Sequence, residues 1–302
     1  MNNEFFFNLL MSGLTKGSIY ALIALGYTMV YGIIKLINFA HGEIYMIGAF
    51  TALIFASFFN YMGVPGWAIF FLASVLAILF ASGYGVTMEK VAYKPLRGAP
   101  RLSALISAIG MSIFLQNYVL LIQTEKFLPF PNIIPDFAFL QSMDSIISSR
   151  QLVIFVVTAA VMIGLSVLIK FTRIGKAMRA TSQDQTMAKL LGISVNKVIS
   201  FTFVLGSSTA AMGGVLIAAY SGQINYQIGF LAGIKAFVAA VLGGIGSVPG
   251  AVLGSFILGL SESFGTGYIS SDYEDVFAFI ILIVVLTLRP SGILGASEKQ
   301  KV

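Results

Sequence analysis

Leu152-Val153-Ile154-Phe155-Val156-Val157-Thr158-Ala159-Ala160-Val161-Met162-Ile163-Gly164-Leu165-Ser166-Val167-Leu168-Ile169 runs without a single charge, between Arg150 and Lys170. A run of this length is enough for a helix to cross the hydrocarbon core of a bilayer. Eight more apolar stretches lie around it: Leu9–Gly32, Ile44–Met62, Trp67–Met88, Ser103–Thr124, Val198–Tyr220, Ile228–Leu242, Ala251–Leu260 and Val276–Leu288. The last three are short or broken by glycine, so some of them are expected to bend or to span only half the membrane. Of the 302 residues 58% are apolar and 10% charged, with a mean hydropathy of +0.93. Soluble domains are nearer to about 45–50% apolar and about 25% charged. The expected fold class is therefore all-α, a polytopic integral membrane protein of about 8–10 helices with glycine-broken segments. A soluble enzyme, a disordered chain and a single-anchor receptor are excluded. Met1 to Leu10 does not read as a cleaved signal: it has Glu4 in place of a basic segment and no small-residue cleavage site.

Charge orients the chain. Lys90, Lys94, Arg97 and Arg101 make one loop +4, and the segment from Lys170 to Lys197 carries +5. Arg289, Lys299 and Lys301 outweigh Glu298 in the tail. The opposite loops are acidic: Glu125, Asp136 and Asp144 outweigh Lys126 and Arg150, while Glu262, Asp272, Glu274 and Asp275 add −4. Basic loops stay in the cytoplasm, which places the N-terminus outside and the C-terminus inside. Lys16 interrupts the first stretch, and a separate half-helix over Phe5–Thr15 would reverse the N-terminal side. The net charge of +6 is this topology signal. No basic patch interleaved with aromatic residues suggests nucleic acid binding.

The chain lacks the residues for several chemistries. It has no cysteine and one histidine, which removes thiolate and multi-histidine metal sites. Gly175-Lys176 is followed by Ala177, so no phosphate-binding loop is present. The expectation is a non-catalytic protein without a cofactor.

Small residues recur every fourth position at Gly206, Ala210, Gly214, Ala218 and Gly222, and again at Gly246, Gly250 and Gly254. Such stripes let helix backbones approach closely in lipid, either inside the chain or at a moving subunit interface. Two breaks stand at equivalent places near the two ends of the sequence: Ile37 to Glu43, and Leu242 to Gly250. Paired broken helices are the best sequence pointer to a transport pathway. Asn38, His41, Gly42 and Glu43 in the first, with Gly243, Gly244 and Gly246 in the second, are the candidate pathway or hinge residues. Asn38, His41 and Glu43 act either as a helix cap or in direct substrate contact. Lys16, Lys35, Glu89 and Lys235 either snorkel to headgroups or serve function at depth; Gln116 and Asn117 suit hydrogen bonding between helices.

The +5 loop carries Ser182-Gln183-Asp184-Gln185, which has the spacing of a capping box. Asp184 suits the dipole of the first turn, Met187, Leu190 and Leu191 give an apolar face beside Ala188, and Gly192 is placed to end the helix. A helix of about nine residues results, lying on the membrane surface or docking into a groove on a cytoplasmic partner.

These stretches resemble a known family over the full length. The matching segments are Gly17 through Gly32, Ile37 through Gly42, Leu105 through Gly110, Gly175 through Ile193, Ala239 through Gly250, and Arg289-Pro290-Ser291-Gly292-Ile293-Leu294-Gly295. The most specific are Asn38-Phe39-Ala40-His41-Gly42-Glu43 and the run Val241 to Gly250. The sequence is similar to permease subunits of bacterial ABC importers for branched-chain amino acids, of the Liv-type H kind. The resemblance implies one transmembrane permease domain over 1–302, related to the ribose- and vitamin-B12-type permeases, with a cytoplasmic coupling loop at 171–197. It implies a homologous M-type permease, two cytoplasmic ATPase subunits and a periplasmic binding protein for leucine, isoleucine or valine as partners, in the bacterial inner membrane. Ser182, Asp184, Met187, Ala188, Leu190, Leu191 and Gly192 would then couple the chain to the ATPases. From the residues alone the competing reading is an ion-coupled secondary transporter with Lys235 or Glu43 as the coupling charge.

Overall fold

The computed structural model describes residues 3–137, 147–289 and 291–295. Asp144, Pro290, Glu298, Lys299 and Lys301, used above, lie outside the described residues. Nine apolar helices carry the fold among those described: α1 (Asn3–Ile34), α2 (His41–Tyr61), α3 (Gly66–Met88), α4 (Arg101–Ile122), α5 (Ser149–Phe171), α8 (Val195–Ser221), α9 (Ile228–Gly243), α10 (Val248–Tyr268) and α11 (Glu274–Leu288). Two short helices, α6 (Arg173–Gln183) and α7 (Gln185–Leu190), occupy the +5 segment. A two-residue pairing of β1 (Leu128–Pro129) with β2 (Gln223–Ile224) joins the loop after α4 to the end of α8.

Local chemistry sets the ends. Ser148 and Gln151 form a reciprocal capping box at α5. Ser247 caps α10, with Pro249 in the first turn. Gly222, at φ +69°, closes α8 in the left-handed region that an L side chain resists.

Two apolar stretches are longer in the structure than hydropathy indicates. Helix α1 runs unbroken through Lys16, so Phe5–Thr15 is not a separate half-helix. Helix α10 continues past Leu260 through Glu262 to Tyr268, and is not a short segment. In both cases the interrupting charge meets an opposite charge on another helix, as described below.

Helices α1 and α8 pack together at the centre, with α9 and α10 on α1 and with α2 and α3 on α8. Gly206, Ala210, Gly214 and Ala218 are buried inside the chain; a side chain at Gly214 would strike the Tyr45 carbonyl, and one at Gly206 would meet Gly26 and His41. Gly250 and Gly254 pack on Gly243 and Ala239. These buried parts of the two stripes do the work of helix packing and do not face another subunit.

The two breaks differ. The turn between α9 and α10 is closed by a downstream segment: Ile293 N–H donates to the Leu242 carbonyl and Leu294 N–H to the Gly243 carbonyl, each at 2.9 Å. The first break is set deep. His41 and Gly42 lie against Gly26, Gly206, Gly229 and Gly233. At 1.5 Å per residue, Gly26 is about 12 Å from the far end of α1, and Gly233 about 15 Å from the far end of α9. The chain leaves α1, climbs back into the bundle and starts α2 there.

Candidate functional site

Asn38, His41 and Glu43 are each 1% exposed. The Tyr93 hydroxyl donates to Asn38 Oδ1 at 2.9 Å, and the Ser112 hydroxyl to Glu43 Oε1 at 2.9 Å. The His41 ring stands edge-on to Tyr27, with centroids 4.8 Å apart. Helix α2 has no side-chain cap, so the capping reading of this cluster does not hold. Asn38 Nδ2, His41 Nε2 and Glu43 Oε2 are buried without a hydrogen-bond partner. Leaving such atoms unpaired costs about 1–3 kcal/mol each. The first turns of α2 and α9 overlap here: Gly42 lies against the Gly229 carbonyl and Gly233, and Gly229 against Glu43 Oε2. Only glycine permits that approach. Helix starts meeting around polar side chains inside a bundle give an environment able to receive a polar solute once the helices separate.

Gly243, Gly244 and Gly246 sit in the α9–α10 turn. Gly244 has φ +105° and faces the Gly295 backbone; Gly246 has φ +96° with open space around it. A valine at Gly244 is strained in the left-handed region and collides with backbone. Gly244→Val is expected to abolish uptake while the protein still inserts; uptake at the unsubstituted rate, with equal membrane abundance, is the outcome that rules this out.

The +5 segment is built differently from its capping-box spacing. Ser182 belongs to the end of α6, its hydroxyl donating to the Arg179 carbonyl at 2.8 Å. Asp184 is the cap of α7, accepting from Thr186 N–H at 2.7 Å and Met187 N–H at 3.0 Å. Helix α7 therefore has six residues instead of nine, and Gln185 is its first residue. Gln185 does not reach back to the cap; its side-chain amide donates to the Ile33 carbonyl of α1 at 2.8 Å. Met187, Leu190 and Leu191 are exposed by 58%, 78% and 79%, whereas Ala188 is buried at 2%. Gly192, at φ +81°, turns the chain away. The product is a short apolar prominence fixed to the body of the bundle.

An ionic network, unmarked in the sequence because its members are far apart, joins four helices. Lys235 Nζ of α9 lies 3.4 Å from Glu262 Oε1, 3.0 Å from Glu274 Oε1 and 2.9 Å from Asp275 Oδ1. Lys16 of α1 also pairs with Glu274 at 3.0 Å. The Tyr20 hydroxyl donates to Glu262 Oε2 at 2.8 Å. Lys16 and Lys235 are thus held by carboxylates of α10 and α11 and do not snorkel to headgroups.

This architecture defines a multi-pass, all-helical membrane protein with a deeply set helix break and a prominence at one end. Its family is established by comparison: the family described as "Branched-chain amino acid transport system / permease component" matches residues 9–286, and the chain belongs to it. The chain is 53% identical over 297 residues to the high-affinity branched-chain amino acid transport system permease protein BraD of Pseudomonas aeruginosa, covering 97% of each. It is 48% identical over 302 residues to the corresponding permease protein LivH of Escherichia coli, covering 99% of this chain and 98% of LivH. The permease protein LivM of Escherichia coli is 24% identical over 315 residues, covering 95% of this chain and 70% of LivM. The chain is a non-catalytic transport subunit, and the ion-coupled alternative is set aside.

Proposed function

We propose that this chain is the membrane-spanning permease subunit of an ATP-driven importer of branched-chain amino acids. The observation that carries this reading is the end-to-end similarity to BraD and LivH, both named as high-affinity permease proteins for that substrate class. The similarity to LivM supports pairing with a homologous M-type permease. Two cytoplasmic ATPase subunits supply the energy and a periplasmic binding protein delivers leucine, isoleucine or valine. The chain sits in the bacterial inner membrane as one permease domain over 1–302, its N-terminus outside and its C-terminus inside. Within the 171–197 coupling loop, α7 docks with an ATPase subunit through Met187, Leu190 and Leu191, while Asp184 and Gly192 fix its ends and Ser182 and Ala188 seat it. Asn38, His41, Gly42 and Glu43 border the pathway, and Gly243, Gly244 and Gly246 permit the bends that open it.

Reconstitution with the partner permease, the two ATPase subunits and the binding protein tests this. Leucine uptake into vesicles is expected to require ATP and the binding protein. Uptake by the chain alone under an ion gradient overturns the proposal.

A further inference from the structure

We propose that Tyr93 and Gln185 are positioning residues through which α7 controls the Asn38–Glu43 break. This rests on the reading above, in which α7 docks with an ATPase subunit and the break borders the pathway. Two hydrogen-bonded routes lead from the ends of α7 to the break.

The first route starts at the beginning of α7. The Gln185 amide holds the Ile33 carbonyl at 2.8 Å, in the last turn of α1, where helix carbonyls have no partner along the helix. Two residues on, Lys35 is the one non-glycine residue with positive φ among those described, at +55°. That conformation is uncommon for a long side chain, and such strain persists only where the surroundings enforce it. It redirects the chain from α1 into the climb toward Asn38. A shift of α7 therefore pulls on the end of α1 where the backbone is already bent.

The second route starts where the chain leaves α7 and enters α8. Asn196, in the first turn of α8, accepts from Arg97 Nη1 at 2.6 Å. Arg97 also pairs with Glu89, which is 1% exposed and accepts from the Ser200 hydroxyl at 2.8 Å. Glu89 opens the π-helical turn Glu89–Tyr93, a rare geometry found frequently at functional sites. Tyr93 ends that turn, rests its ring on Phe203 at 5.4 Å and donates to Asn38 Oδ1 at 2.9 Å. Glu89 and Arg97 thus clamp the π turn to the start of α8, and Tyr93 carries its position to the break.

The routes meet around a cavity of about 50 Å³, whose walls include Leu36, Tyr93, Arg97, Gln185 and Phe203. Close-packed interiors transmit displacement and do not absorb it, and a small void at the joint gives Tyr93 and Gln185 room for a second arrangement. The unpartnered atoms at Asn38, His41 and Glu43 give the break three buried polar groups that a second arrangement can satisfy.

The test uses the full complex with its partner permease, ATPase subunits and binding protein. Tyr93→Phe removes one hydroxyl and keeps the ring; Gln185→Ala removes the amide. In both variants the ATPase subunits are expected to remain bound and to hydrolyse ATP within about twofold of the unsubstituted rate, while leucine imported per ATP falls at least tenfold. The chain has no cysteine, so Ala40→Cys, buried at 0% exposure, reports the break directly. Its thiol labelling is expected to rise at least tenfold during ATP turnover, and Tyr93→Phe is expected to remove that rise. Unchanged import per ATP in both variants overturns the proposal. So does lost import that simply follows lost thermal stability, which assigns Tyr93 and Gln185 a static role. Failure of Ala40→Cys to label in any nucleotide state overturns the pathway reading, and transport by a Leu191→Asp complex overturns the docking reading; either removes the proposal's base separately from the behaviour of Tyr93.

Discussion

Lys235→Met is expected to be the most damaging single change to the fold. Its ammonium lies within 3.4 Å of Glu262 and within 3.0 Å of Glu274 and Asp275. Glu262 is fully buried on α10 and Lys235 only 13% exposed. Removing the cation leaves three carboxylates facing one another, with Lys16 alone beside them. Breaking one side of a buried ion pair costs about 3–5 kcal/mol, a large part of the roughly 5–15 kcal/mol that holds a typical domain together. Most of the variant is expected to be degraded in the membrane, and the purified remainder to unfold at a markedly lower denaturant concentration. Lys235→Met with Glu262→Gln removes one buried charge of each sign and is expected to recover much of the loss, because a buried pair contributes little beyond the cost of leaving it half broken. A single variant as stable as the unsubstituted chain refutes this account of the network.

Leu191→Asp is expected to have the largest effect on transport. Leu191 is 79% exposed and stands at the C-terminal cap of α7, so the change leaves the fold of the isolated chain intact. If α7 docks as proposed, the same surface is covered by the ATPase groove in the assembled importer. An unpaired charge there costs about 3–5 kcal/mol, or two to three and a half powers of ten in association. Uptake is expected to fall to background and the ATPase subunits to be lost on purification. Cysteines at Met187 and Leu190 are expected to crosslink to an ATPase subunit; Ala188, buried against the body of the bundle, is a poor position for this. Normal transport by Leu191→Asp, with Met187→Cys labelled only by lipid-phase reagents, favours a helix lying on the membrane.

The nine apolar stretches of the sequence correspond to nine apolar helices among the described residues, seven of them long enough to cross a bilayer and α9 and α11 shorter at 16 and 15 residues, because hydropathy acts locally. The reading failed where a charge is compensated from far along the chain. Glu262 ends an apolar stretch in sequence but sits inside α10, since Lys235 and Tyr20 converge on it. Lys16 interrupts α1 for the same reason. The capping box failed differently: Ser182 and Asp184 are both competent caps, and the continuation of α6 to Gln183 left the role to Asp184. Among the candidate residues, the cluster at Asn38, His41 and Glu43 was legible from its polarity at a break. Its depth was not, because depth depends on where α1 and α9 end relative to it. Tyr93, Glu89 and Arg97 gave no linked signal, since only the fold brings their loop against Asn38 and Asn196.

The hydrogen bonds from Ile293 and Leu294 to the end of α9 impose an order on biosynthesis. The ribosome makes α9 and its turn into α10 first, then the whole of α10 and α11, and only afterwards the residues that close the turn. Until then the Leu242 and Gly243 carbonyls remain open to whatever else can donate to them. A translation product stopped soon after α11 would contain every apolar helix among the described residues with the turn still open, so a reporter joined at that point can register the right topology on an unfinished protein. For this subunit, complete insertion and complete folding are separate events, divided by a handful of residues after α11.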